Sequence, residues 1–208
     1  GTGTQKIETI IGETFPNASI VRVDMDTSRN VTALTSAISS FGSGDVDILL
    51  GTQMISKGLD FENATLVGII NADTGLFLPD FRSGERLFQL IYQTAGRAGR
   101  RKKPGEVVIQ TYNYDNPVIK YASKLDLKKY YNIILNERKD LNYPPFSWMA
   151  KLELSGRNKN KLQIIAQKLR NNLKKPYSGL EILGPADCYY ERLRNRFRMQ
   201  IVLKSYKT

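Results

Sequence analysis

Two short runs of almost unbroken apolar residues, VDILL (46–50) and TLVGII (65–70), constrain the fold of this chain more than any other feature. A strand that is apolar on both faces is buried on both faces, as the strands of parallel sheets are. Helical spacing of apolar residues over 28–41 and 82–95 provides the crossover connections that parallel strands require. The same region holds further candidates for a helix over 7–15 and for the strands ASIVRVD (18–24) and EVVIQTY (106–112). These patterns predict an α/β domain with a mainly parallel sheet.

The pattern changes after residue 114. Residues 115–140 read as one helical, basic and tyrosine-rich stretch, and the paired prolines of NYPPF (142–146) end it, because proline cannot continue a helix. We therefore divide the chain into an α/β domain (1–114), a helical connector (115–145) and a C-terminal domain (146–208).

The C-terminal domain shows the order strand, helix, strand, strand. WMAKLELS (148–155) alternates, which predicts one shared face for Trp148, Ala150, Leu152 and Leu154. A helix follows, with an apolar face predicted at Leu162, Ile165, Leu169 and Leu173. LEIL (180–183) predicts a short strand that ends at Gly184 and Pro185. This order predicts a small α+β sandwich.

The last strand of that domain, RFRMQIVLK (196–204), alternates most clearly. The residues predicted to face the core are Phe197, Met199, Ile201 and Leu203. Arg196, Arg198 and Gln200 fall on the opposite face.

Cysteine and histidine counts exclude two kinds of site. The chain has a single cysteine, Cys188, so it forms no internal disulfide, which fits a reducing compartment. With no histidine as well, it lacks the ligands of a structural zinc site. No apolar run approaches membrane-spanning length, so we expect no membrane partner.

Positive charge is concentrated in one half of the chain. Residues 1–100 hold 8 Lys/Arg and 11 Asp/Glu, whereas residues 101–208 hold 23 and 9. A half-chain with so large an excess of cations favours a polyanionic partner, most often nucleic acid. A charge that serves only solubility is the alternative.

Three glycine- and threonine-rich stretches are candidates for phosphate contact: GTGT (1–4), GTQMISKGLDF (51–61) and QTAGRAGR (93–100). The second follows a predicted buried strand directly, where small residues and the Thr52 hydroxyl let the backbone approach a phosphate. The same stretch is also compatible with a simple turn.

In the third stretch, small residues leave Arg97 and Arg100 unobstructed. A guanidinium is a rigid, permanently charged fork for phosphate oxygens and can stabilise a γ-phosphate during transfer. Cations also suit the C-terminus of a helix, so a helix end is the competing interpretation.

Taken together and in this order, GTQMISKGLDF and QTAGRAGR resemble motifs V and VI of superfamily 2 helicases. The further phrases GTGTQ, DTSR, PDFRSGER, PGEVVIQT, NYPPF and ILGPA…RNRFRMQIVLK extend the likeness over nearly the whole chain. They resemble the C-terminal portion of the primosomal protein N-prime family, the bacterial replication-restart DNA helicases.

The resemblance implies a RecA-like second helicase lobe followed by an α+β domain with a ribosomal-protein-like fold. It implies ATP-dependent 3′–5′ unwinding of DNA, recognition of stalled forks and assembly of the primosome, in the nucleoid of the bacterial cytoplasm. ATP and Mg²⁺ are bound mainly by the first lobe in that family, and no G-x-x-x-x-G-K-[ST] phosphate loop occurs here. The family's zinc insert would precede GTGT. We therefore expect the chain alone to be inactive.

Site residues follow from the same resemblance. It implies that Arg100 is an arginine finger, with Arg97 beside it and Gln93 lining the same cleft. Gly58 and Asp60 would face the nucleotide. The residues implied to contact DNA are Thr2, Thr4, Thr52 and Lys57. Roles within PDFRSGER stay unassigned, and its charged residues could simply tie the loop together.

In the C-terminal domain the resemblance implies two kinds of contact. Forked and single-stranded DNA would be one partner. The other would be the acidic C-terminal tail of single-stranded DNA-binding protein, received by Arg196 and Gln200, since an arginine can bind a terminal carboxylate through two hydrogen bonds. Primosome loader proteins are also implied. A solvated polar strand face is the alternative for Arg196 and Gln200.

Two matters stay open in the sequence. Four tyrosines, Tyr130, Tyr131, Tyr189 and Tyr190, could stack on bases or could be half-buried packing residues. The whole chain could also be a non-catalytic platform that binds DNA and partner proteins and keeps a helicase-lobe fold. A motor requires Arg97, Arg100 and a partner lobe, whereas a platform requires only the basic face.

Overall fold

The computed structural model describes the chain in five stretches: residues 2–24, 31–52, 64–96, 105–173 and 179–206. The chain forms two compact units, Gly1–Leu127 and Lys128–Thr208. Each unit is described by itself below.

The first unit alternates helices and strands. Its elements are α1 (Thr2–Thr14), β1 (Ile20–Val23), α2 (Val31–Ser43), β2 (Ile48–Gly51), β3 (Leu66–Ile69), α3 (Asp73–Leu76), α4 (Ser83–Ala95), β4 (Glu106–Ile109) and α5 (Pro117–Ser123). Strands β1 and β2 pair in parallel, and so do β3 and β4. The predicted α/β class with parallel strands is confirmed. Strand β4 ends at Ile109, short of the predicted residue 112, and α3 was not predicted.

Helix α4 is fixed by one apolar face. Leu87, Phe88 and Ile91 are at most 3% exposed, and their spacing places them on a single side of the helix. This side packs against α3, α5, β3 and β4. Burial of these side chains fixes how the helix presents its opposite, polar side to solvent.

The predicted continuous helix over 115–140 is wrong in one respect, because it is two helices. The first, α5, starts with the Asn116 side chain accepting a hydrogen bond from the backbone N–H of Val118 (2.9 Å), and Pro117 follows the cap. Leu125 then has a φ of 54°, which a right-handed helix excludes. Helix α6 (Leu127–Asp140) begins two residues later.

The second unit is an antiparallel sheet with a covering helix. Its elements after α6 are β5 (Ser147–Gly156), α7 (Lys159–Leu173), β6 (Leu180–Leu193) and β7 (Arg196–Tyr206). The strands lie in the order β5-β7-β6, so β7 is central. The predicted strand, helix, strand, strand order is confirmed.

Strand β6 is much longer than the predicted LEIL segment. It continues through Gly184 and Pro185 to Leu193, because register shifts after Leu183 and after Asp187 accommodate the residues that a regular ladder would reject. Gly184 has a φ of 95°, and a Cβ there would lie 2.8 Å from the backbone oxygen of Gln200. Glycine is therefore required at this close approach.

The core of the second unit joins α7 to one face of the sheet. Leu162, Ala166 and Met199 are buried, and Leu154 and Phe197 pack against them. Two of the four positions predicted for the inner face of β7 thus belong to this core.

The predicted apolar face of α7 is wrong at one position. Ile165 is 52% exposed, and Ala166, one residue later, takes its place in the core. The helix therefore turns the residues spaced by four, Leu162 and Ala166, toward the sheet.

Of the four residues predicted to share one face of β5, Leu152 and Leu154 are half-buried, whereas Ala150 is exposed and Trp148 is 68% exposed. Trp148 pairs with Ser205, whereas Leu154 pairs with Met199 near the other end of β7. The core cluster contains Leu154 and lies at that other end, so Trp148 is beyond its reach.

Candidate functional site

The ends of β3 and β4 are held together by one buried carboxylate. Asp73 is 6% exposed and accepts hydrogen bonds from the Thr111 hydroxyl (2.9 Å), the Tyr112 backbone N–H (2.8 Å) and the Asn113 amide (2.7 Å). The Asn113 amide and the Tyr112 N–H lower the pKa of Asp73 and outweigh the effect of burial. The carboxylate is therefore charged at neutral pH and orders the loops that follow both strands.

Beside this carboxylate, an open cavity of about 300 Å³ separates α1 from the ends of β3 and β4. Carboxyl ends of parallel strands are where α/β sheets form their binding clefts. Residues of α1, of the segment after β3 and of the segment after β4 line it: Gly3, Lys6, Ile7, Ile10, Ile70, Asn71, Asp73, Gln110, Thr111 and Tyr112. The lining is mainly apolar, and Lys6, Asn71 and Gln110 are among its polar residues.

The predicted DNA-contacting threonines lie at two places. Thr2 and Thr4 are in the first turn of α1, where Thr4 is half-buried, and their neighbours Gly3 and Lys6 line the cavity. Thr52 is exposed directly after β2. The structure thus brings the GTGT segment to the cavity, but Thr52 is not among the residues that line it. Lys57 lies outside the described residues.

Of the residues predicted to face the nucleotide, the structure describes Gln93. Gln93 is exposed in the last turn of this helix, which ends at Ala95. In the described part of the chain its amide has no hydrogen-bond partner, so it is available to a ligand. Arg97 and Arg100 follow within five residues of the helix end. These two arginines, together with Gly58 and Asp60, lie outside the described residues.

The start of α4 is tied by the PDFRSGER segment. The Asp80 carboxylate accepts a hydrogen bond from the backbone N–H of Arg82 (2.9 Å) and one from the guanidinium of Arg86 (2.7 Å). Burial raises the pKa of Asp80. The hydrogen bond from the Arg82 N–H and the charges of Arg86 and Arg82 lower this pKa by more, so the net shift is downward. The contacts of Asp80 and Arg82 are those of a loop-tying role.

On β7, Arg196 and Gln200 flank an arginine that is already occupied. The guanidinium of Arg198 donates two hydrogen bonds to the Glu153 carboxylate (2.8 and 2.7 Å) on β5. Arg196 is exposed and reaches only the backbone oxygen of Ser155, at 3.5 Å. Gln200 is half-buried, and its backbone oxygen lies against Gly184 of the neighbouring strand β6. The structure therefore places the two predicted residues on one face and leaves Arg196 as the cation available for an anionic partner.

Sequence reasoning missed three anchoring residues in these sites. Asp73 follows an apolar strand directly, and a carboxylate at the end of a buried strand is a signal that could have found it. Glu153 faces outward between Leu152 and Leu154, but its pairing with Arg198 depends on strand register. Lys204 is 8% exposed and donates to the Leu141 backbone oxygen (2.7 Å), a contact that no sequence pattern announces.

Two kinds of feature are absent from the described residues. No group of three or more metal-ligating Asp, Glu or Cys side chains lies together in the part of the chain that the structure describes. Among the same residues, no helix is both long and apolar enough to cross a membrane.

Two family models match the chain. The helicase conserved C-terminal domain matches residues 2–102, and the primosomal protein N C-terminal domain matches residues 139–208. The division between the two compact units, after Leu127, falls in the gap between the two matched regions.

Curated relatives match along the whole length of the chain. The replication restart protein PriA of Bacillus subtilis is 42% identical over 98% of this chain and 26% of the relative. That of Chlamydia pneumoniae is 37% identical over 99% of this chain and 28% of the relative, and that of Synechocystis is 39% identical over 98% and 25%. The chain thus spans about a quarter of the length of the curated relatives it matches.

Proposed function

Because the chain belongs to the family of the bacterial replication restart proteins, we propose that it contributes the second motor lobe and the C-terminal domain of an ATP-dependent 3′–5′ DNA helicase. The helicase recognises stalled or abandoned replication forks and restarts replication by primosome assembly. The observation that carries the proposal is the end of α4. There an exposed Gln93, without a hydrogen-bond partner among the described residues, precedes Arg97 by four positions in the sequence, on a lobe with parallel strands.

The nucleotide-facing surface of this lobe centres on Gln93, Arg97 and Arg100. The free amide of Gln93 fits a polar ligand, and the arginines bring permanent charge next to it. Bound ATP, held with Mg²⁺ mainly by a first lobe, supplies the phosphoryl group that is transferred to water. Arg100 would stabilise the charge on the transferring group with Arg97 beside it, Gly58 would give the turn room, and Asp60 would face the nucleotide.

Zinc has no place on this chain. One cysteine and no histidine cannot form a tetrahedral site, so no step of the proposal depends on it.

The strand of DNA would run along the edge formed by GTGT and the segment after β2. Backbone N–H groups and hydroxyls at Thr2, Thr4 and Thr52 bind phosphates there, and Lys57 adds charge. Gly3 and Lys6 at the cavity support this placement, because the first turn of α1 is accessible from it.

The C-terminal domain would serve as the docking platform of the helicase. Its free Arg196, with Gln200 four residues along the same face, fits the terminal carboxylate of the acidic tail of single-stranded DNA-binding protein. Forked DNA and primosome loader proteins are the further partners that we propose. The place of action is the nucleoid of the bacterial cytoplasm.

A hybrid protein tests this function. The chain replaces the matched region of the Bacillus subtilis relative, and ATP hydrolysis is measured with and without forked DNA. We expect fork-stimulated hydrolysis by the hybrid and none by the chain alone. Arg100→Ala should lower the rate by about 10³-fold or more, because it removes an arginine finger. Arg101→Ala is the matched control, and an equal loss in both variants would sink the assignment.

A second function is favoured by the charge distribution alone. The large excess of cations after residue 100 would suit a non-catalytic platform for DNA and partner proteins. In that case the hybrid carrying Arg100→Ala would hydrolyse ATP at the unmodified rate, whereas removal of cations from the second unit would still abolish DNA binding.

A further inference from the structure

Strand β6 carries a large bulge near its end. Asp187 pairs with Met199, and Arg192 pairs with Phe197, so four residues of β6 lie opposite the single residue Arg198. We call these four residues, Cys188–Glu191, the bulge segment. An insertion of this size leaves the ladder locally unpaired and directs side chains away from the sheet.

One lysine holds both ends of the bulge segment. Lys159, the first residue of α7, donates to the carboxylate of Asp187 (3.1 Å) and to that of Glu191 (2.5 Å). Cys188 is 5% exposed and anchors the segment from within. Lys159 therefore compensates one of the two negative charges at the ends of the bulge segment, and the segment is held by this lysine and by the buried Cys188.

The fixed segment presents two aromatic rings to solvent. Tyr189 and Tyr190 are 62% and 61% exposed, so the packing interpretation of these two tyrosines is wrong. Packing does account for Tyr130, which is 1% exposed. The rings of Tyr189 and Tyr190 contact each other edge to face, with centroids 4.9 Å apart and planes at 71°. An edge-to-face pair restrains both rings and leaves broad aromatic surface uncovered.

Arginines follow the tyrosines at every second position. The chain reverses at Arg194 and Asn195, which both have positive φ (49° and 59°), as a tight hairpin turn requires. Arg192 lies over the Phe197 ring, with its guanidinium carbon 5.4 Å from the centroid. Among the described residues, none of Arg192, Arg194 and Arg196 forms an ion pair with a carboxylate. The aromatic pair is therefore followed along the chain by three guanidinium groups that have no carboxylate partner among the described residues.

We propose that the bulge segment and the hairpin turn form a base-stacking site for single-stranded DNA. Tyr189 and Tyr190 stack on bases, and Arg192 and Arg194 bind the phosphates between them. Ring faces next to cations are the combination that binds a single strand irrespective of its sequence. The choice of DNA as the strand rests on the proposed replication function, but the site requires neither nucleotide hydrolysis nor the first unit.

The test separates bases from phosphates. The unmodified chain and the double variant Tyr189→Ala/Tyr190→Ala are titrated, without nucleotide, with a labelled oligothymidylate and with an abasic strand of equal length and charge. We expect the variant to bind oligothymidylate at least about fivefold more weakly, because each base stack contributes substantially to affinity. Binding of the abasic strand and the salt dependence of binding should not change, since the substitutions remove no charge.

Three further variants protect the result from misreading. Tyr189→Phe/Tyr190→Phe keeps the rings and should bind like the unmodified chain. Tyr114→Ala/Trp148→Ala removes two other exposed aromatic rings and should also leave binding unchanged. Lys159→Ala should reproduce part of the loss on oligothymidylate, and Lys159→Arg should restore it.

Equal weakening on the base-bearing and the abasic strand would overturn the proposal, as would no weakening on either. Failure of the hybrid to hydrolyse ATP would leave this result unaffected, because the titrations contain no nucleotide. Loss of the stacking effect would in turn leave the assignment of Arg100 standing.

Discussion

Under the proposed function, the two units of this chain would bind phosphate in different ways. In the first, residues 1–127, 13 Lys/Arg are balanced by 14 Asp/Glu, whereas in the second, residues 128–208, 18 Lys/Arg face 6 Asp/Glu. The first unit therefore depends on a few groups placed at strand and helix ends. The second depends on a charged surface, on which partners decide which cations are free.

Because of this difference, the sequence predicts the binding groups of the first unit better than those of the second. A segment at a helix end is continuous in sequence, so GTGTQ, whose Thr2 begins α1, and QTAGRAGR, which begins in the last turn of α4, can be recognised as motifs. A sheet surface joins residues far apart in the chain, as Glu153 joins Arg198 across 45 positions. The charge sum predicts that the second unit is basic, but only strand register shows that Arg196 is free and Arg198 is not.

The largest effect that would sharpen the contrast is on DNA binding. Arg192→Gln/Arg194→Gln should weaken binding of the chain to forked DNA by roughly tenfold at 0.1 M salt for each arginine that contacts a phosphate. The plot of log affinity against log salt should become shallower by about one for each such contact. Titrations at several salt concentrations measure both quantities.

The matched control removes two exposed lysines from the first unit, Lys120→Gln/Lys124→Gln. It changes the net charge of the chain by the same amount. If it weakened binding as much as the arginine pair, net charge and not the hairpin surface would govern affinity.

Backbone conformation in the second unit gives the next effect. Gly184→Ala should destabilise the chain by roughly 2–3 kcal/mol, because a Cβ at this φ would also collide with the Gln200 backbone oxygen. Gly179→Ala has a similar φ of 90° but open space around it, so we expect only about 1–2 kcal/mol. Denaturant unfolding measures both, and equal losses would show that the collision is relieved.

Much of the fold follows from the sequence, but the irregular strand β6 around Gly184 does not. Apolar runs at residues 46–50 and 65–70 predicted the parallel strands β2 and β3 correctly, but the predicted burial on both faces is wrong for β3, where Leu66 is 61% exposed. The Gly-Pro pair at 184–185 predicted the end of a strand, because glycine and proline usually interrupt strand pairing. Tertiary pairing with β7 overrode that preference, and the strand continues to Leu193.

The sequence predicted the position of candidate site residues better in the first unit than in the second. Gln93 was placed correctly at the end of α4 by the helical pattern and the glycine after it. The prediction for Tyr189 and Tyr190 stayed open, because exposure in a bulge depends on a register shift and on Lys159. Neither feature has a signature in the local sequence.

A smaller effect concerns the strand ends of the first unit. Asp73→Asn should lower stability at pH 7, because the ionised carboxylate is the acceptor of three hydrogen bonds. The pKa of Asp73 is lowered below its ordinary 3.8, so its contribution is fully present above that value and is lost as the pH falls through the lowered pKa. The gap between the two proteins should therefore narrow below about pH 4.

Thermal unfolding at a series of pH values measures that gap. Asp115→Asn, at an exposed carboxyl four residues after Thr111, is the control and should leave stability at pH 7 unchanged. A constant gap at all pH values would show that shape, not charge, is what Asp73 contributes.

The smallest effect concerns the ion pair on the sheet. Glu153→Gln should change the free energy of unfolding by less than about 1 kcal/mol, because exposed ion pairs contribute little. It frees Arg198, so forked DNA should bind somewhat more tightly. Glu181→Gln, whose carboxylate accepts from Tyr206 rather than from an arginine, should not raise affinity by this route. A tighter complex with both variants would point to net charge alone.

The division of labour between the units is tested most directly by fork-stimulated ATP hydrolysis of the hybrid protein as a function of DNA concentration. We predict that Arg100→Ala lowers the maximal rate by about 10³-fold without changing the DNA concentration that gives half of it. Arg192→Gln/Arg194→Gln should raise that concentration and leave the maximal rate intact. If Arg100→Ala changed only the DNA requirement, or the arginine pair changed only the maximal rate, the account of a motif-based motor lobe beside a surface-based DNA platform would be contradicted.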